Sequence, residues 1–383
     1  MLKLALVAVG YNRVKSLQRL LESLNAAEYH GDKIEIYISI DKSKSTDVVE
    51  LANSFIWNHG EKHVLTYTER LGLRKHILQC GNLLSKYDAI AILEDDIVVS
   101  KGFYNYMKQS VEFYKDDDNI AGISLYTNKW NEFACAPFSP MHSEYDTYFF
   151  QFAESRGQIW LKNQWRHFIE WYRNGNDLPF ETDNLPRNLC AWPESSWKKY
   201  HVKYCVDNNL YFVYPYTSFA TCFSDLGTHT RRIDTFIQVE LYQGYSSKFK
   251  FPTSGSNDAV YYDVFYERTN LYGYEDCDFD LYGIKHLSDN KRYVISPRSL
   301  PYEIVAAYGA QMKPQEANVL MDVSGDDFYK YDKLCKKEKP SSRNKLRLFR
   351  YRFSLYDHSR ELMLCILDSV ISRIKNKLYI FRK

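Results

Sequence analysis

Three consecutive carboxylates, Glu94-Asp95-Asp96, follow the apolar run Ala89-Ile90-Ala91-Ile92-Leu93 and precede Ile97-Val98-Val99. Like charge packed between two apolar runs is costly unless a cation relieves it. Hard divalent ions such as Mg²⁺ and Mn²⁺ take carboxylate oxygens and keep positions open for diphosphate, so such a triple can tie a nucleotide to a strand end. The chain carries its own comparison: Asp116-Asp117-Asp118 lies between Lys115 and Asn119 with no strand before it, and reads as a solvated loop. Other chemically capable residues sit at breaks in the pattern: Gly10-Tyr11-Asn12-Arg13, Asp41, Arg70 and Lys75 around Gly72, Glu154, Glu194 and His229. Plain turn chemistry competes for the first of these, since Gly and Asn end strands routinely.

The elements that must position these residues read as α/β. Leu4 to Val9 is an apolar strand ending at Gly10, and apolar residues at 14, 17, 20, 21 and 24 mark a helix. Ile34 to Ile40 is a second strand closing on Asp41, Val48 to Trp57 a helix, Val64 to Tyr67 a short strand, Leu73 to Leu84 a helix, and Ala89 to Leu93 a fourth strand. Apolar strands separated by helices predict a mostly parallel sheet covered on both faces, with ligands beyond the carboxyl ends of the strands. Gly10-Tyr11-Asn12, Asp41 and the acidic triple all fall there. Further on, Gly122 to Tyr126 and Leu210 to Tyr216 read as strands and Gln158 to Tyr172 as a tryptophan-rich helix. The expected division is a catalytic domain over 1–230, a small α+β appendage over 231–335, and a linker and tail over 336–383.

With 383 residues, one large or two modest domains are expected. The 45% hydrophobic and 26% charged composition excludes wholesale disorder and a polytopic membrane protein. Aromatic residues reach 16%, with 33 Tyr, which suits sugar stacking as well as core packing. A net charge of +2 gives no argument for nucleic-acid binding. Eight scattered cysteines without a CxxC pair, and no signal-peptide core, point to a reduced, cytoplasmic protein. The charge is unevenly placed: from Pro340 onward eleven Lys and Arg face Asp357, Glu361 and Asp368, a net +8 that leaves −6 on residues 1–339. Leu362, Met363, Ile366, Leu367, Val370, Ile371, Ile374 and Leu378 recur at helical spacing, with Arg360, Arg373, Lys375 and Lys377 off that stripe. A basic amphipathic helix of this kind suits an anionic membrane surface, through residues 343–383, at the inner face of the membrane. A helix docked on its own domain is the competing reading.

The strand with its acidic triple, continued through Ser100-Lys101-Gly102-Phe103, together with Leu4 to Leu24 and Ile34 to Asp41, resembles a GT-A fold glycosyltransferase. The nearest flavour is the N-acetylglucosaminyltransferase I type and the bacterial surface-polysaccharide glycosyltransferases, and the resemblance covers roughly residues 1–230. It implies a Rossmann-like sheet, a nucleoside-diphosphate sugar donor, a divalent metal (Mn or Mg), an inverting transfer, and a glycan or lipid-linked acceptor. It also implies site roles. Asp96 would bind metal directly and Asp95 the ribose or metal, with Glu94 near the nucleoside or donor sugar. Gly10, Tyr11, Asn12 and Arg13 would lie against the nucleoside, Asp41 would accept from base or ribose, and Arg70 and Lys75 would neutralise diphosphate. His229, in Gly227-Thr228-His229-Thr230, resembles the late histidine that completes the metal shell, although a lone His is more often structural.

An inverting transfer needs a carboxylate to take the acceptor hydroxyl's proton. The relatives carry an acidic pair before a Trp at a helix start; here Pro193-Glu194-Ser195-Ser196-Trp197 has Ser where the second acid would stand. Glu194 is the base candidate, Glu154 competes, and helix capping is the bland reading of both. Trp160 and Trp165 are candidates to floor the acceptor sugar, with core packing as the alternative. Two rival functions remain at this stage. A sugar nucleotidyltransferase would want a longer glycine-rich loop than Gly10-Tyr11-Asn12-Arg13, and a catalytically silent, membrane-associated glycan-binding scaffold is kept open by the departure around Glu194.

Overall fold

The computed structural model describes residues 2–174, 184–225, 237–245, 248–338, 345–355, 360, 362–368, 370 and 371. The alternation read at the start of the chain is realised: β1 (Leu4–Gly10), α1 (Val14–Asn25), β2 (Glu35–Ile40), α2 (Asp47–Ser54), β3 (Lys62–Thr66), α3 (Leu73–Gly81) and β4 (Ala89–Glu94). After the triple come β5 (Ile97–Val99), α4 (Phe103–Tyr114), β6 (Ile120–Ser124) and a small hairpin of β7 (Trp130–Asn131) and β8 (Ala136–Pro137). The body continues with β9 (Thr147–Phe150), β10 (Gln158–Leu161), α5 (Lys162–Arg173), α6 (Arg187–Cys190), α7 (Trp197–Asp207), β11 (Tyr211–Pro215), β12 (Ala220–Cys222) and β13 (Tyr261–Tyr262). The appendage holds β14 (Cys277–Phe279), β15 (Tyr293–Ser296), β16 (Tyr302–Tyr308), α8 (Gln315–Leu320) and β17 (Phe328–Lys336), followed by α9 (Lys345–Phe353).

Nine strands form one sheet in the order β13-β9-β11-β6-β10-β4-β1-β2-β3. The β1–β2, β1–β4, β2–β3, β6–β11 and β9–β13 pairs are parallel, whereas β10 runs antiparallel to both β4 and β6, and β9 to β11. The period-2 alternation of β1 explains the two-sided burial. Leu4, Leu6 and Ala8 join Leu17, Leu20, Val48 and Phe103 on one face, while Ala5, Val7 and Val9 join Ile77, Trp165, Phe168 and Trp197 on the other.

Three expectations change. Gln158 to Leu161 is a strand and not the start of a helix, because Ile159 and Trp160 fill opposite faces of the sheet between β4 and β6. The break expected at 230 is crossed by the sheet, since β13 adds to its edge through β9; the separate four-stranded sheet, β14-β15-β17-β16, begins at Cys277. The tail divides in two. Helix α9 docks on the protein, where Arg347 pairs with Asp327 and the Tyr351 hydroxyl donates to the Met312 carbonyl. Residues 360, 362–368, 370 and 371 are helical and exposed. Among the described residues no helix is long and apolar enough to cross a membrane.

Candidate active site

Because β1, β2 and β4 are parallel and in register, with Gly10 beside Ile40 and Val9 beside Glu94, their carboxyl ends open on one edge. Tyr11 to Arg13, Asp41 and the triple therefore converge although up to 85 residues separate them in sequence. Arg13 lies across the two aspartates: its Nε donates to Asp95 Oδ2 at 3.3 Å, and its Nη2 to Asp95 Oδ1 and, at 3.1 Å, to Asp96 Oδ2. Burial pushes the Asp95 carboxyl up to about 6 against the pull of Arg13. Burial and the neighbouring Asp96 and Asp95 charges push Glu94 up to about 8, while the Trp197 side chain hydrogen-bonds it. Two adjacent carboxylates, one buried and one part-exposed, bridged by a guanidinium form a place that demands positive charge.

Asp41 is 4% exposed and its oxygens are engaged by the backbone: Oδ1 accepts from Lys42 N–H and Leu71 N–H, both at 2.8 Å, and Oδ2 from Gly72 N–H at 3.0 Å. The structure thus gives it a positioning task, holding the loop that starts α3, where the expectation was direct contact with base or ribose. Gly72 caps α3 at φ +73°, a backbone conformation that L side chains rarely adopt. The loop carries Arg70, whose guanidinium lies 4.7 Å from the centre of the Tyr11 ring, so these two form one exposed rim of the site. Asn12 and Lys75 are exposed.

The two base candidates stand in opposite environments. Glu194, before α7, has a side chain 71% exposed; it accepts from Lys199 Nζ at 2.8 Å and from the Tyr200 hydroxyl, with Arg74 Nη1 at 3.7 Å. Those bonds from Lys199 and Tyr200 hold its carboxyl below the usual range. Neither of its oxygens caps α7, and Ser196 makes no capping bond either. Glu154 is fully buried and accepts from Ser155 N–H at 2.8 Å, Arg156 N–H at 3.0 Å and Arg156 Nη1 at 3.2 Å. Arg156 and Lys198 also reach Glu132, at 3.1 and 3.4 Å. Burial opposes the Glu132 charge, yet Lys198 and Arg156 hold it below the usual carboxylate range. This network of two acids and two bases has Glu154 at its fully buried end and Glu132 and Arg156 partly exposed, and that burial leaves Glu154 no path to an acceptor.

Trp160 and Trp165 do not floor a sugar. They stack on each other at 4.2 Å between the sheet and α3, are 1% and 7% exposed, and a Cβ on Gly81 would lie 2.0 Å from the Trp165 ring. The tyrosine surplus is likewise mostly interior, with Tyr104, Tyr106, Tyr114, Tyr126, Tyr148, Tyr200, Tyr214, Tyr262 and Tyr266 fully buried. His229 lies outside the described residues.

Sequence reasoning missed Asp225, which follows β12 and accepts from Ser16 Oγ at 2.8 Å and from Arg19 Nη2. Its charge contributes to raising Asp95. Nothing local marks it; the antiparallel pairing of β12 with β5 brings it to the triple. Another acidic group, Glu35, Glu61 and His63, gathers its ligand atoms within 4.8 Å. It lies at the amino ends of β2 and β3, and Glu35 is already bonded by Tyr87 at 2.6 Å and His63 at 2.9 Å, so it is separate from the triple.

Residues 6–172 match the family model described as glycosyl transferase family 2. Over that span, less than half of the chain, the sequence is similar to glycosyl transferase family 2. The matched span runs from within β1 through β4 and the acidic triple into α5, and the sheet around them is the mostly parallel, Rossmann-like sheet of the GT-A fold. Among solved structures, TarS 1–349 of S. aureus in complex with UDP-GlcNAc is 14% identical over 60% of this chain and 60% of that chain, with a TM-score of 0.38. The mannosyltransferase PcManGT of Pyrobaculum calidifontis in complex with GDP-Man and Mn²⁺ is 14% identical over 45% of this chain and 47% of that one, with a TM-score of 0.32. The chain thus spans about half to three fifths of the length of these two solved chains. No curated protein matches the sequence.

Proposed function

We propose that this protein is a metal-dependent, inverting glycosyltransferase that moves a sugar from a nucleoside diphosphate to a glycan or lipid-linked glycan in surface-polysaccharide assembly. The observation that carries the proposal is the pairing of buried Asp95 with part-exposed Asp96 at the shared edge of β1, β2 and β4, with Arg13 lying across both carboxylates as a stand-in cation. Oxygen donors of that kind fit a hard divalent ion. Asp96, with Asp95, would hold it, and when bound it would neutralise the charge that develops on the diphosphate.

The chain's own groups do the rest. Tyr11 and Arg70 form a flat, cationic rim suited to a nucleotide, and Asp41 fixes that rim by holding the Leu71-Gly72 backbone. The acceptor hydroxyl oxygen attacks the anomeric carbon from the face opposite the diphosphate. Its proton passes to the Glu194 carboxylate as the bond from the anomeric carbon to the diphosphate oxygen breaks, and the nucleoside diphosphate leaves with that electron pair. Glu194 suits the role because Lys199 and Tyr200 keep it ionised. The membrane reading narrows to the exposed helical residues after α9, where Met363, Ile366, Leu367, Val370 and Ile371 are 46–63% exposed and the flanking sequence is basic.

The test is nucleoside-diphosphate release from UDP- and GDP-sugars with and without Mn²⁺, on wild type and Asp96→Ala. Metal-dependent release lost in the variant supports the proposal; metal-independent release, or none with any donor and acceptor preparation, overturns it. For the membrane, sedimentation with anionic vesicles should separate the full chain from one ending at residue 355, and equal partitioning would reject the tail as an anchor.

A further inference from the structure

A cavity of about 140 Å³ opens where the body, the appendage and α9 meet, and it shares no residue with the surroundings of the acidic triple. The body contributes Tyr266 and Glu267, the appendage Tyr282, Gln315 and Glu316, and α9 Tyr351 and Arg352. Its polar groups are buried yet not fully engaged. Glu267 is 1% exposed and accepts from Tyr282 N–H at 2.9 Å, and Glu316 is 6% exposed and accepts from the Tyr262 hydroxyl. Burial pushes both carboxyls up, toward the neutral acid. Gln315, 8% exposed, accepts from Arg352 Nε at 3.0 Å through Oε1, whereas its Nε2 makes no hydrogen bond of normal geometry. It lies near the Tyr282 hydroxyl, which donates to the Pro137 carbonyl at 2.9 Å. A buried amide left in this state calls for a partner.

The charges decide the class of that partner. Arg352 and Lys313 in the lining disfavour a cation; Arg352 already donates to Gln315 Oε1 and the Leu281 carbonyl and Lys313 to Ser354 Oγ, so neither calls for an anion, and Glu267 and Glu316, drawn toward the neutral acid, add hydrogen-bonding groups without charge. Amide, acid and guanidinium groups beside tyrosine rings match a molecule with many hydroxyls and apolar C–H faces. At about 30 Å³ per water the space corresponds to roughly five waters, the scale of one sugar ring.

We propose that this cavity is a second saccharide site, which holds one neutral pyranose unit of a glycan against Tyr282 and Gln315. Because Tyr351 and Arg352 come from α9, a bound sugar also fastens α9, and the exposed helical segment beyond it, to the body. The site stands independently of the donor chemistry proposed above.

The experiment is saturation-transfer NMR on the full chain, with glucose, galactose and N-acetylglucosamine as probes and no nucleotide or metal present. Wild type and Asp96→Asn should bind at least one of these sugars equally, and Gln315→Leu should bind it about tenfold more weakly, the effect of one lost hydrogen bond. Hydrogen exchange on the wild-type protein provides a readout independent of any variant's folding: the sugar should protect peptides covering 266–282 and 313–320. No binding by any probe, binding untouched by Gln315→Leu in a folded variant, or protection confined to 10–13 and 94–96 would each overturn the proposal.

Discussion

Exchanging Glu154 for Gln separates scaffold from chemistry. The substitution keeps size and acceptor oxygen but removes, at the fully buried end of the network, one of two negative charges that face Arg156 and Lys198. Removing one partner of a buried ion pair costs about 3–5 kcal/mol. The low end applies, because the Gln oxygen can still accept from Ser155 N–H and Arg156 N–H. At about 2–4 °C per kcal/mol for a domain of this size, the melting temperature should fall by roughly 6–12 °C. Glu194→Gln, with its side chain 71% exposed, should melt like wild type and lose about 10²–10⁴-fold in sugar transfer. Thermal melts followed by circular dichroism, paired with a transfer assay on both variants, give the answer. A Glu154→Gln protein that melts with wild type but cannot transfer would refute the assignment, and so would an active Glu194→Gln.

Three further outcomes are expected. Gly81→Ala should destabilise by about 1–3 kcal/mol in urea titration, because the new methyl meets the Trp165 ring at 2.0 Å and that ring is backed by Trp160. His201 is fully buried and burial depresses its pKa to about 3. The unfolded chain takes up that proton below about pH 6.5 while the folded one does not, so this contribution to stability is present above 6.5 and is lost as pH falls. Wild type should therefore lose about 1.4 kcal/mol per pH unit relative to His201→Phe below that point, and parallel urea-stability curves would exclude it. Lys199→Met removes a bond that holds the Glu194 pKa down, so the acidic limb of the transfer profile should move to higher pH while the alkaline limb stays.

Much of the fold was legible because its cause is local. The apolar runs of β1, β2 and β4 have no polar face, which only a sheet covered on both sides tolerates, and the carboxylates after them mark the strand ends. The errors arose where local pattern and tertiary role part. Gln158 to Leu161 and the helix after it share one aromatic composition, and only the slot between β4 and β6 makes the first four residues a strand. Trp160 and Trp165 have the type expected of a sugar platform, yet a glycine at 81 gives them room to pack inside.

The sequence by itself determined the α/β class, the acidic triple at a strand end and the uneven charge of the tail, since composition and short-range periodicity suffice for each. Only the tertiary structure decided which carboxylates are sealed and which face solvent. Glu154 and Glu194 look alike in sequence; one is enclosed with Arg156 and Lys198, and the other is exposed beside Lys199 and Tyr200. It also brought Arg13 onto Asp95 and Asp96, Asp225 into their neighbourhood and Tyr351 of α9 onto the Met312 carbonyl, because these contacts join residues 39 to 209 positions apart and no local pattern encodes them.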